Sequence, residues 1–400
     1  MFNGREKFLL ASIFSIMILY AIFASLYGSE ATVMMGFFKI GTTEQGFLTT
    51  LQSAGGLAIS LLLLFFGDKM GRLKMVAFGV ALLAAGSLLT ALGVEYVQVL
   101  LFALVAGVGY TFIDIMSNAA IMDIFPGRKK TALPMMHMTY GIGAVIGPFF
   151  TTAIVDPQIL SSFGRPFLTV GIAGFAALAL FAAASGRIKE EGRPKKHDPA
   201  IAQDKGGIFR YPAAWVMLAA GILYFSFQRG LVSWYPSYMI ESAGVSFWFS
   251  GVALTLFFVG MLVFRISSPY WFNRVGILKM CIMLTALSGV SMLLSLVLVP
   301  VSVPAAIVFV ILGGALQGVF GPAFIYLICD LFPGRSASAS SVLLIALNLG
   351  GITAPLWMGR MAESMGFTVP LYIIFSMLVG SAAMIALAHK IHKKREAPVL

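Results

Sequence analysis

Ile121-Met122-Asp123-Ile124-Phe125-Pro126-Gly127-Arg128 returns 207 residues later as Ile328-Cys329-Asp330-Leu331-Phe332-Pro333-Gly334-Arg335. At the same spacing Gly143 meets Gly350, and Pro148 meets Pro355. A shorter echo at a spacing of 205 pairs Asp68-Lys69-Met70-Gly71 with Asn273-Arg274-Val275-Gly276. These stretches lie in or beside apolar segments, so the chain reads as two homologous halves. Helical carriers built from halves hold their solute between them, near the bilayer midplane. The repeat therefore points to a carrier before any single residue does.

Composition supports a membrane location. The chain is 59% hydrophobic and 11% charged, against about 25% charged in a soluble domain. Apolar runs of some 20 residues, each long enough to cross about 30 Å of hydrocarbon, recur along the whole length. They fall near 6–28, 44–66, 75–94, 97–125, 131–154, 166–185, 210–238, 247–267, 277–299, 303–332, 338–358 and 368–389. The expected fold is all-α and integral to the membrane, with twelve transmembrane helices in two pseudo-symmetric six-helix bundles. Residues 1–185 form the first bundle and 210–400 the second. The polar, basic stretch 186–209 links them on the cytoplasmic side.

The net charge of +11 does not call for a nucleic acid. Of the 27 Lys and Arg residues, Lys39, Arg165 and Arg360 fall on one side, and Arg229 and Arg265 lie within helices. All the others fall on the opposite side, which the positive-inside rule makes cytoplasmic, together with both termini. The first apolar run is too long for a signal peptide and lacks an Ala-x-Ala cleavage site, so it reads as a retained helix. Cys281 and Cys329 offer neither a disulfide framework nor a metal spacing. No Gly-x-x-x-x-Gly-Lys-Ser/Thr loop occurs, which disfavours an ATP-driven pump and leaves an ion gradient as the energy source.

Gly67-Asp68-Lys69-Met70-Gly71-Arg72-Leu73-Lys74, between the second and third runs, resembles the signature loop of the major facilitator superfamily. The early glycine of that pattern is Leu64 here, with Gly67 nearby. The resemblance implies that Asp68 and Arg72 latch the halves on the cytoplasmic side. Asp123 and Asp330, each before Phe-Pro-Gly-Arg, are expected to make gate or interface ion pairs with loop arginines, Arg128 and Arg335 among them. Gly141-x-Gly143-x-x-x-Gly147-Pro148 gives a small-residue face for close helix approach.

The informative residues are polar groups at membrane depth, where a charge is costly and marks a functional site by default. Asp114 and Asn118 sit one turn apart on one face of the fourth helix. Their second-half equivalents are Gly321 and Ile325, so the pair is not part of the repeated scaffold. An acid, three residues and then Asn looks like the fucose permease branch of the superfamily, the fucose–galactose–glucose:proton symporters. Tyr224-x-x-x-Gln228-x-Gly230-x-x-x-Trp234-x-Pro236-x-Tyr238 is similar to that branch's seventh helix, although Gln228 replaces its usual Glu and Arg229 adds a cation.

The resemblance implies proton coupling at Asp114 and at a helix 1 acid, for which Glu30 is the candidate, with a sugar contact at Asn118. Further hydrogen bonds to a sugar would come from Gln228 and Asn348, and aromatic faces from Tyr20, Tyr27, Tyr110, Tyr140, Tyr224 and Trp234. Arg229 either pairs with Asp114 or Glu30, or meets an anionic substrate as a bidentate anchor.

Three readings stand at this point. The first is a proton-coupled symporter of a small polar solute, a sugar. The second is a proton-coupled exporter of amphipathic compounds or lipids, for which the 22 Met would line an adaptable cavity. The third is an organic-anion carrier using Arg229. A monomer in a bacterial cytoplasmic membrane is expected, with no enzymatic chemistry, cofactor, metal or nucleic acid.

Overall fold

A computed structural model describes residues 3–66, 71–125, 129–186, 208–332 and 336–396. Among them are fourteen α-helices and no strand. In chain order these are α1 (Gly4–Ser29), α2 (Ala31–Phe38), α3 (Thr42–Phe66), α4 (Arg72–Leu92), α5 (Tyr96–Ile124), α6 (Lys129–Ile154) and α7 (Gly164–Ser185). The second half continues with α8 (Pro212–Glu241), α9 (Phe247–Val275), α10 (Ile277–Leu298), α11 (Val303–Gln317), α12 (Phe320–Leu331), α13 (Ser336–Met365) and α14 (Thr368–Glu396). Ten helices are long and apolar enough to cross a membrane among the described residues.

The fourteen helices make twelve segments: α2 continues α1 beyond the expected run 6–28, and the run 303–332 is interrupted. The first breaks at Glu30, whose backbone (φ −118, ψ 16) leaves the helical region between α1 and α2. The second breaks at Gly318–Val319, between α11 and α12. Pro322 explains that break. It has no N–H to donate to the carbonyl four residues back, which is that of Gly318. Arg265 of α9 supplies the missing donor, its Nε lying 3.1 Å from the Gly318 oxygen.

The chain divides into two compact units. One comprises Met1–Lys195 with Ser246–Thr255, the other Lys196–Val245 with Leu256–Leu400. In the first, α1 packs on α6 and α7, and α4 packs on α5 and α7. In the second, α8 packs on α13 and α14, and α10 packs on α11 and α14. The two lists are the same under the sequence repeat.

The repeat is also written in individual contacts. A Cβ on Gly107 would strike the Gln52 carbonyl, and a Cβ on Gly314 would strike the Phe257 carbonyl. Gly107 and Gly314 stand 207 residues apart, Gln52 and Phe257 205 apart, so both sequence offsets reappear in one pair of backbone contacts. Gly143 likewise closes on Ile18 of α1, as Gly350 closes on Phe225 of α8. In lipid, helix association relies on van der Waals packing rather than apolar burial from water, so glycine at each crossing lets the backbones touch.

Within the first unit, the start of α9 lies on α6. The Thr255 hydroxyl accepts from the Phe149 N–H at 3.1 Å and donates to the Val145 carbonyl at 3.1 Å. It thus stands inside the helical ladder of α6 beside Pro148, where an inserted side chain replaces a backbone bond.

Candidate functional site

The site is built from α1, α5 and α6. Asp114 and Asn118 lie half-buried one turn apart on α5. The Asn118 Nδ2 donates to the Asp114 backbone carbonyl at 2.7 Å and approaches its Oδ1 at 3.3 Å. A turn earlier, Tyr110 lays its ring on Tyr20 of α1, with centroids 3.9 Å apart and planes inclined by 15°. Tyr140 of α6 closes on Tyr20 at 5.6 Å. The Gly143 approach to Ile18 and Ala21 holds α6 close enough to α1 for that contact. Asp114 follows Tyr110 by one turn, on the same side of α5. Five residues singled out in the sequence therefore meet: an acid, an amide and three tyrosines.

Tyr27 sits two turns along α1 from Tyr20, buried against Phe167 (4.8 Å) and beside Thr90, whose hydroxyl is 3.5 Å from its own. Glu30 follows one turn later, fully buried, and neither carboxylate oxygen has a hydrogen-bond partner among the described residues. The cation pairing expected for it is therefore not found there.

The second unit uses its candidates differently. Tyr224 is buried and stacked on Phe320, directly after the helix break, at 3.4 Å and 4°. Trp234 is buried against Phe367 and donates its indole N–H to the Pro355 carbonyl at 3.0 Å. Asn348 donates to the Leu344 carbonyl at 2.9 Å, one turn back in its own helix. Tyr224, Trp234 and Asn348 thus make their contacts within the second unit. Gln228 and Arg229 are both half-buried, and as helical neighbours they point about 100° apart. The bracing role of Arg265 escaped the sequence reading; the Gly321-Pro322 pair inside an apolar run was the signal for it.

Of the gate residues, Asp68, Arg128 and Arg335 lie outside the described residues. Arg72 and Asp123 form an ion pair, Nε to Oδ2 at 3.1 Å, tying the start of α4 to the end of α5. Asp330 is exposed.

A family model for the Major Facilitator Superfamily matches residues 9–301 and 245–399. The chain belongs to the major facilitator superfamily. It is thus a membrane transporter and not an enzyme. It is 23% identical over 338 residues to the uncharacterized MFS-type transporter YfkL of Bacillus subtilis (strain 168), covering 82% of each chain. Its fold is shared with a bacterial homolog to the human lysosomal transporter Spinster (TM-score 0.74, 15% identity, 98% of this chain and 97% of that one). It is shared also with the nucleoside transporter NupG (TM-score 0.77, 12% identity, 95% and 99%). A D-xylose-proton symporter is similar too (TM-score 0.74, 14% identity, 95% and 96%).

Proposed function

We propose that this major facilitator chain is a proton-coupled symporter of a small polar solute, a sugar, working by alternating access. We place it in a bacterial cytoplasmic membrane with both termini inside. The observation that carries the reading is the Asp114–Asn118 pair set beside stacked Tyr20 and Tyr110. Carboxyl and amide groups suit hydroxyl hydrogen bonding, and aromatic faces suit the apolar face of a sugar ring. The pair has no counterpart in the second half, where Gly321 and Ile325 stand, so symmetry of the scaffold does not account for it. The likeness to the fucose permease branch and the fold shared with a D-xylose-proton symporter agree with this reading.

The coupling step belongs to Asp114. A carboxyl in low-dielectric surroundings disfavours its charged form. Proton uptake removes a charge that opposes closure around a solute, and release of the proton on the other side resets the carrier. The test is Asp114→Asn in proteoliposomes. The amide keeps shape and hydrogen-bonding capacity but cannot titrate, so substrate exchange persists while accumulation driven by a pH gradient is lost. Accumulation by the variant under an imposed pH difference would remove Asp114 from coupling.

A second reading rests on Arg229, which is half-buried within the apolar length of α8. If its guanidinium meets the substrate, the solute is an organic anion, since Arg binds a carboxylate through two parallel hydrogen bonds.

A further inference from the structure

The interruption between α1 and α2 gathers buried oxygen atoms that nothing in the Asp114 site uses. Glu30 is 0% exposed, and its Oε1 and Oε2 have no hydrogen-bond partner among the described residues. Ser29, 1% exposed, has an unpartnered Oγ, and Gln45 of α3, 2% exposed, has an unpartnered Oε1. The Gln45 amide contacts residues on both sides of the break. Its Nε2 donates to the Tyr27 carbonyl at 2.9 Å and reaches the Met34 sulfur at 4.0 Å. Tyr27 and Met34 are three residues before and four after Glu30, so Gln45 spans the turn that carries Glu30. The Glu30 carbonyl accepts from the Met34 N–H at 3.0 Å, so α2 begins directly at the break.

Four buried oxygens come from three residues, and they carry one negative charge when Glu30 is ionised. Buried polar atoms without partners are rare in folded proteins, and each one asks for an explanation. A proton on Glu30 would neutralise the charge, but its single O–H serves only one acceptor and leaves the other oxygens as they are. A metal cation takes several oxygen ligands at once, as a proton does not. The ligands are hard oxygens, and no group of three or more His, Cys, Asp or Glu that could hold a metal ion occurs among the described residues. Oxygen donors select s-block cations over transition metals. A single carboxylate with neutral partners is short of the charge that Ca²⁺ sites gather from several acids.

We propose that Ser29, Glu30 and Gln45 form a binding site for a monovalent metal cation, Na⁺. This goes beyond the proton reading of Asp114, from which it is independent. Ion binding would join the end of α1 to α3, which Gln45 already bridges through the Tyr27 carbonyl.

The test uses the purified full-length chain in detergent without substrate. Its thermal unfolding midpoint is followed as NaCl replaces choline chloride at fixed pH and ionic strength. A ligand that binds only the folded state raises the midpoint in a saturable way. We expect that rise with Na⁺, none with choline, and a weaker one with K⁺. In Glu30→Gln the Na⁺ response is lost, while the midpoint in choline rises above wild type because a buried unpaired charge is gone. Gln45→Leu folds and shifts the Na⁺ response to higher concentration. Asp114→Asn keeps the response, so failure of the proton reading and failure of this one are told apart. A wild-type midpoint equal in Na⁺ and choline, or a Na⁺ response that survives in Glu30→Gln, overturns the site.

Discussion

Asp123 and Asp330 occupy equivalent positions in the two halves, but the cation that pairs with Asp123 has no counterpart in the second half. Asp123 meets Arg72 at 3.1 Å. The residue equivalent to Arg72 at the 205 spacing is Ile277, so that cation is missing beside Asp330. The acids were legible in the repeat and a loop arginine was expected beside them, but which arginine pairs with Asp123 was not. Loop arginines adjacent in sequence looked nearer than Arg72, 51 residues away. What brings Arg72 close is the antiparallel packing of α4 on α5, which sets the start of one helix beside the end of the other. The Asp123 side chain is 38% exposed, and an exposed ion pair contributes at most about 1 kcal/mol. Arg72→Ala should therefore lower the unfolding midpoint slightly at low salt and leave it unchanged near 1 M salt, where screening is strong. Ile277→Arg should recreate the pair beside Asp330 and raise the low-salt midpoint by a similar small amount. A large, salt-independent loss in Arg72→Ala would mean that the guanidinium stabilises something other than this pair.

At the scale of the helices, the architecture was legible and its interruptions were not. Hydropathy reports length and burial in lipid: the run 303–332 stays apolar through its break and read as one, while the run 6–28 ended before Glu30 and left α2 unforeseen. The breaks come from backbone chemistry instead. Pro322 withholds a donor from Gly318, and Arg265 replaces it; Glu30 bends away after Gly28-Ser29, residues that hold a helix weakly. The glycines sort by the same physics. Gly107 and Gly321 both lie in apolar helices, but a Cβ on Gly107 meets the Gln52 backbone whereas a Cβ on Gly321 meets nothing within 4 Å. Gly107→Ala should cost about 1–3 kcal/mol, the range for overpacking a tight contact. Gly321→Ala should be neutral or stabilising by up to about 1 kcal/mol, since alanine loses less entropy in a helix. Thermal midpoints of the two variants, measured side by side, check the ranking. Equal losses would show that the close approach of α5 to α3 does not determine the packing.

For the whole molecule, a departure from the repeat marked one candidate pair, while the second-half candidates were marked by side-chain chemistry and family likeness. Asp114 and Asn118 stood out because Gly321 and Ile325 replace them. Tyr224 and Trp234 were marked in that second way, and they turn out to be buried in the second unit. Charge carried through the cycle then decides between the two readings of the substrate. If the solute is neutral and enters with one proton, each cycle moves one net positive charge inward. A membrane potential of 100 mV is worth about 2.3 kcal/mol per charge, which corresponds to an accumulation of about 40- to 50-fold. If Arg229 binds a monovalent anion that enters with one proton, the cycle moves no charge, and the potential does nothing. Proteoliposomes loaded with K⁺ and treated with valinomycin, at equal pH on both sides, separate these cases. The sugar reading expects uptake driven by an inside-negative potential alone, and expects that uptake to vanish in Asp114→Asn while exchange continues. Uptake that ignores the potential but follows a pH gradient would transfer the assignment to the organic anion, with Arg229→Gln then losing affinity for the anion selectively.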